Sequence, residues 1–134
     1  MRRLVVTQNI TLDGSIETTG VTDYLNQVQK YVVSSTLIDP GWEPTTILPG
    51  DPAEEVSALK ETEGRDIVCT GSIRLTHALI RAGLVDEYRL FVYPAVQGRG
   101  RRLFPDGYEA SGLRLLESRG FRSGITLQRY AAAA

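Results

Sequence analysis

An apolar run of strand length, Asp66-Ile67-Val68-Cys69-Thr70, passes through Gly71 and Ser72 directly into a segment of helical spacing. Free amides at a helix N-terminus attract anions, glycine lets a phosphate approach the backbone, and a serine hydroxyl adds a donor. No Gly-Lys-Ser/Thr follows, so this is not a Walker loop, and a single glycine falls short of the full dinucleotide fingerprint. Thr70-Gly71-Ser72 therefore reads either as a phosphate cradle or as a tight βα turn with a serine cap. Ser34-Ser35-Thr36 stands at the end of a predicted parallel strand. Ligands of open α/β sheets bind outside the carboxyl ends of strands, so these hydroxyls suit a ribose or phosphate, or else form a polar exit. Asp13, in Thr11-Leu12-Asp13-Gly14, is an acid facing a substrate or the aspartate of an Asp-Gly turn. Gln97-Gly98-Arg99-Gly100-Arg101-Arg102 sets three guanidinium groups among two glycines. Such a loop can hold an anionic substrate by bidentate contacts, or it simply carries solvated arginines.

Other chemistry is poorly supplied. His77 is the only histidine and falls mid-helix, with no second histidine to share a metal and no evident triad partner. Cys69, the only cysteine, lies inside a strand as a small core residue and excludes an intrachain disulfide. Trp42 beside Pro40-Gly41 reads as a loop anchor. Fifteen Lys/Arg against sixteen Asp/Glu give a formal charge of -1, with no general field for a polyanion, which argues against nucleic acid. The apolar run after Arg2-Arg3 is broken by Gln8, Asn9 and Asp13, too soon for a signal peptide or a membrane span. A single soluble cytoplasmic domain over residues 1–134 is the expectation.

The elements that must position these groups alternate. Leu4–Ile10 is rich in Val, Leu and Thr and ends at Asp13-Gly14; Thr22 or Asp23 caps a short helix with Tyr24, Leu25 and Val28 inward. Tyr31–Ser34 reads as a buried strand and Thr45–Leu48 as another. Asp51-Pro52 opens a helix with Val56 and Leu59 inward, Glu54, Glu55, Lys60 and Glu61 solvated, and Gly64 beyond its end. Asp66–Thr70 is a strand, Ile73–Ala82 a helix ended by Gly83, and Tyr88–Tyr93 a strand. Leu113–Ser118 and Ile125–Tyr130, with no helix between them, read as an antiparallel pair closing an otherwise parallel sheet. Ala131–Ala134 reads as a frayed tail.

In this order the segments resemble the C-terminal reductase domain of bifunctional riboflavin-biosynthesis proteins, within the dihydrofolate-reductase-like fold. The resemblance is carried by Leu4-Val5-Val6 with Thr11-Leu12-Asp13-Gly14, by Lys30–Leu37, by Asp66–Ser72, by Gly83–Leu90, and above all by Tyr93–Phe104. It implies a three-layer α/β fold with a mostly parallel sheet and a C-terminal antiparallel hairpin. It also implies an NADPH-dependent reductase acting on a ribosylamine or pterin. On that resemblance Thr70, Gly71 and Ser72 meet the cofactor pyrophosphate and Ser34, Ser35 and Thr36 the adenosine-phosphate side. Pro94 and Gly98 border the nicotinamide, and Asp13 and Gly100 face the substrate. The family pattern names no catalytic side chain for this chain and no metal.

Two departures accompany the resemblance. Ser35 stands where many relatives carry an arginine suited to the 2′-phosphate. Between Gly14 and Tyr24 only Ser15–Thr22 bridges a stretch where relatives insert a helix, a strand and a phosphate-binding turn. These departures support an alternative, a non-catalytic ligand-binding or interaction protein on the same fold, with one strand and its flanking helices missing. An exposed sheet edge also favours a homodimer, through Val92, Leu115, Ile125 and Leu127 on the C-terminal strands.

Overall fold

In the computed structural model, residues 1–14, 29–33, 44–70 and 72–132 are described. The expected helix after Thr22, the Ser34–Thr36 strand end, Trp42 and Gly71 lie outside the described residues.

Strand β1 (Leu4–Thr11) is the middle of the architecture. Its opening Leu4, Val5 and Val6 are 1%, 0% and 0% exposed, so both of its faces are covered. β4 (Ile67–Cys69) pairs with it in parallel on one side and β5 (Glu87–Tyr93) in parallel on the other. β7 (Thr126–Ala131) then runs antiparallel to β5, and β6 (Arg114–Gly120) antiparallel to β7. The five-stranded order is β4-β1-β5-β7-β6, which contains the expected parallel part and the closing hairpin. β2 (Lys30–Val33) and β3 (Thr45–Leu48) form a separate parallel pair, where a single sheet was expected. Tyr31, expected inside, is exposed.

Two helices cover the face of the sheet that carries Leu4, Val6, Ile10, Tyr88 and Leu90. Helix α1 (Pro52–Lys60) begins at Asp51, whose side chain accepts the Glu54 N–H at 3.2 Å, with proline in its first turn. Helix α2 (Ile73–Arg81) begins at Ser72, whose hydroxyl accepts the Leu75 N–H at 3.3 Å. Its buried Ile73, Thr76, Leu79 and Ile80 recur at helical spacing. It ends as expected at Gly83, whose φ of +71° suits glycine, and the Leu84 N–H closes back on the Leu79 carbonyl at 3.2 Å. Leu103, 1% exposed, joins this core from the loop after β5, and the Phe104 ring packs on Tyr88 with centroids 5.2 Å apart. No helix among the described residues is long and apolar enough to cross a membrane.

Two sequence expectations are corrected by packing. Lys60, assigned to a solvated face, is buried, and its ammonium donates to the Leu84 carbonyl at 2.7 Å and to Asp86 Oδ2 at 2.8 Å. The same carboxylate oxygen accepts the Leu4 N–H at 2.8 Å, so one aspartate joins α1, the turn before β5 and the start of β1. Helical spacing alone cannot reveal a partner 26 residues away. Ala131 and Ala132 do not fray: Ala131 pairs with Glu87, and the Ala132 N–H donates to the Asp86 carbonyl at 2.9 Å.

On the other face of the sheet, the Glu87 carboxylate is 1% exposed. Arg129 holds it through two guanidinium hydrogen bonds, at 3.0 and 3.1 Å, Arg89 approaches to 2.9 Å and Arg3 to 3.3 Å. Burial pushes its pKa up, but Arg129 and Arg89 together outweigh that and hold it below the usual carboxylate value. A carboxylate depressed in the folded state contributes stability at neutral pH that is lost as the pH falls through its folded pKa.

Lys60→Met removes the ammonium and leaves the Leu84 carbonyl and Asp86 without that donor. It is expected to lower unfolding free energy by about 1–3 kcal/mol. Glu61→Ala, on the exposed side of the same helix end, should stay within about 0.5 kcal/mol. Urea midpoints of the two variants check the contrast.

Candidate functional site

β1 outruns β4. The β1–β4 register ends at Val6 opposite Cys69, whereas β1 and β5 stay paired to Thr11 opposite Tyr93. The carboxyl ends of β1, β4 and β5 are thus staggered, and three groups singled out from sequence collect there.

The first is the turn after β1. Gly14 has φ +88°, and its N–H donates to the Thr11 carbonyl at 3.0 Å, the tight Asp-Gly turn that the sequence offered as one reading. Asp13 does more than turn the chain. Its Oδ1 accepts the Thr11 hydroxyl at 2.5 Å and the Gln97 N–H at 3.1 Å, and its Oδ2 accepts the Gly98 N–H at 2.6 Å. The Thr11 hydroxyl, then the Gly98 and Gln97 amides, lower its pKa to about 2. Sequence separation hid this role, because nothing in the Thr-Leu-Asp-Gly string points to an amide pair 84 and 85 residues on.

The second is the loop that Asp13 holds. The Leu12 N–H donates to the Ala95 carbonyl at 2.7 Å, and the Leu103 N–H to the Gly14 carbonyl at 3.3 Å, so the β1 turn grips the loop at both ends. Gly98 and Gly100 adopt φ of +71° and +95°, a backbone that side chains rarely tolerate, which explains the two glycines among the arginines. Arg99, Arg101 and Arg102 are exposed on the loop. Pro94 lies at its entrance against Gly124, its Cγ 3.1 Å from where a side chain there would begin.

The third is the start of α2. Thr70 and Ser72 are exposed, and the first turn of the helix holds Arg74 and no acidic residue. His77, halfway along the helix, lies with Nε2 2.8 Å from the Arg102 carbonyl oxygen. Cys69 is buried with Sγ 3.5 Å from the Thr76 hydroxyl, and burial pushes its thiol pKa up, which leaves it a core residue rather than a nucleophile.

A cofactor phosphate fits these residues. The N-terminal end of α2 carries no opposing charge and exposes two hydroxyls, as an anion requires. Gln8, two residues past the last β1–β4 pair, is buried, and its Nε2 has no hydrogen-bond partner among the described residues, leaving a polar donor at this end of the sheet. No group of three or more metal-ligating side chains gathers among the described residues.

The fold is shared with reductase-like proteins. A pyrimidine reductase-like protein of Corynebacterium diphtheriae superposes with a TM-score of 0.72 at 12% identity, covering 99% of this chain and 92% of that one. A diaminohydroxyphosphoribosylaminopyrimidine deaminase/5-amino-6-(5-phosphoribosylamino)uracil reductase of Thermotoga maritima gives 0.68 at 12% identity, covering 98% of this chain and 57% of that one. The uncharacterized protein YyaP of Bacillus subtilis is 42% identical over 72 residues, 54% of this chain and only 38% of that relative's length. The RibD C-terminal domain matches residues 2–127, and the chain belongs to that family.

Because the Asp13 pKa is lowered from 3.8 to about 2, its hold on the loop is fully present above about pH 4 and is lost as the pH falls toward 2. The amide NMR signals of Gln97 and Gly98 should titrate together over that window. In Asp13→Ala they should lose the titration and exchange faster even at neutral pH.

Proposed function

We propose that this chain is an NADPH-dependent reductase of the riboflavin/pterin type, acting on a heterocyclic or ribosylamine substrate. The observation that carries the reading is the clamp of Asp13 on the glycine–arginine loop at the strand ends beside α2, in a chain of the RibD C-terminal domain family. Thr70, Gly71 and Ser72 would hold the cofactor pyrophosphate, Ser34, Ser35 and Thr36 its adenosine-phosphate side, and Pro94 and Gly98 would border the nicotinamide. Bound NADPH would supply the hydride; the protein supplies alignment and electrostatics. Asp13 and Gly100 lie on the substrate side. With both carboxylate oxygens engaged by Thr11, Gln97 and Gly98, Asp13 stays ionised and shapes the loop, while the exposed arginines offer forked donors to an anionic substrate.

Ser72→Asp separates cofactor binding from folding. Aspartate caps a helix as well as serine does, but it places a negative charge where a phosphate would sit. NADPH fluorescence titration should show saturable binding to the wild type, weakened about tenfold or more in Ser72→Asp at unchanged urea midpoint. No saturation at millimolar NADPH would end the reading. Saturable binding without hydride transfer to any pterin or pyrimidine acceptor would instead establish the non-catalytic alternative, which the short Ser15–Thr22 bridge and Ser35 favour.

The same reading includes a homodimer. β6 is the terminal strand of the sheet, and its hairpin exposes Leu115, Leu116 and Phe121. Two copies of β6 paired antiparallel about Ser118 would set Glu117 of each opposite Arg119 of the other, a self-complementary arrangement of the kind a two-fold axis requires. Sedimentation at micromolar concentration should give twice the chain mass, and Arg119→Glu, which would bring glutamates face to face, should give the single-chain mass.

A further inference from the structure

The loop Pro94–Leu103 is held by backbone bonds to the β1 turn at both ends and, besides these, by side-chain contacts from two different elements. At its entrance Asp13 takes the Gln97 and Gly98 amides, a contact that belongs to the end of β1. At its exit the His77 ring meets the Arg102 carbonyl at 2.8 Å, a contact that belongs to α2. A carbonyl oxygen only accepts, so the imidazole donates from Nε2. His77 borders the buried stripe of α2, next to the fully buried Thr76, so the helix sets the position of its backbone. Arg102 is followed by Leu103, 1% exposed in the core, which fixes the chain on the other side of that carbonyl. Ser72 and His77 are five residues apart on one helix, about 7.5 Å along its axis at 1.5 Å per residue. The α2 N-terminus and the backbone of the loop exit therefore lie within the length of a nucleotide of each other.

We propose that His77 is a positioning residue that fixes the arginine-bearing exit of this loop against α2 and thereby sets the spacing between the loop guanidiniums and the anion-binding start of the helix. The ligand class is an anion of phosphate or pyrophosphate type bound between the two. This rests on the reading of loop and helix as one site, but the contact itself is separately testable. Removing the ring loosens the exit, which the Leu103 N–H on the Gly14 carbonyl still tethers, while the Asp13 contact keeps the entrance in place, so the effect is local. Glutamine, whose Nε2 is also a donor, restores the contact where alanine does not.

The test compares wild type, His77→Ala and His77→Gln by hydrogen exchange and by calorimetric titration with inorganic pyrophosphate. In His77→Ala, peptides covering residues 99–103 should exchange about fivefold faster, the factor that corresponds to a hydrogen bond of about 1 kcal/mol. Peptides from residues 95–98 and from β5 and β7 should be unchanged. Pyrophosphate affinity should fall by a similar factor, and His77→Gln should recover both within about twofold. Unchanged exchange at residues 99–103 in His77→Ala overturns the positioning role. Equal acceleration throughout β5 and β7 overturns it too, because His77 would then be part of general stability. Wild-type protein that takes up no pyrophosphate overturns the ligand class and counts against the site reading, while the exchange result still decides whether His77 holds the loop.

Discussion

Everything in this fold depends on one strand being paired in parallel on both edges and buried on both faces. β1 is flanked by β4 and β5, and parallel neighbours cannot be joined by tight turns. The chain must therefore leave the sheet and return, and α1 and α2 are parts of those returns. Their apolar stripes cover the face that carries Leu4, Val6 and Ile10. Parallel pairing also puts the carboxyl ends of β1, β4 and β5 at one end of the sheet. Because β4 stops at Cys69 while β1 and β5 continue to Thr11 and Tyr93, that end is stepped rather than flush. The step brings the first turn, the glycine–arginine loop and the start of α2 into one neighbourhood.

The two ends of the sheet solve opposite electrostatic problems. Near the amino ends of β1 and β5, Glu87 is nearly inaccessible to water yet stays ionised, since Arg129, Arg89 and Arg3 converge on it and Glu117 and Asp66 balance those arginines in turn. Removing a buried charge from such a network leaves its partners uncompensated, and Arg129 ties β7 to Glu87 of β5 and to Glu117 of β6. Asp86, one residue earlier, joins Lys60 of α1 to the backbone of β1. At the carboxyl ends the charged groups belong to the first turn and to the loop after β5. Asp13 is spent on backbone amides, and the arginines of the loop stand exposed.

Much of the fold was legible in the residues because it rests on local causes. Alternating β-branched runs marked β1, β3, β4 and β5, and capping residues marked both helix starts, with Asp51 and Ser72 accepting the amides that their positions demand. The unbroken stretch between Leu113 and Tyr130 marked the antiparallel hairpin. The site was legible only in outline. Gly98 and Gly100 could be seen as a loop that needs unusual backbone, and Asp13-Gly14 as a turn, but the contact between them joins segments more than eighty residues apart. Lys60 misled for the same reason: its sequence neighbours are solvated, and its partners lie past α2.

By itself, then, the sequence determined which of the described segments are strands and helices, where they start and stop to within a few residues, and which residue types are available for anion binding. Those properties follow from hydrophobic period, capping and glycine stereochemistry, all of which act within a few residues. Only the tertiary structure decided that β2 and β3 stand apart from the main sheet, that Lys60 is interior, that Asp13 holds the loop entrance and that His77 meets its exit. Each of these depends on which distant backbone groups are brought to a given side chain. That is settled by the pairing of β1 with β4 and β5, and no local pattern encodes it.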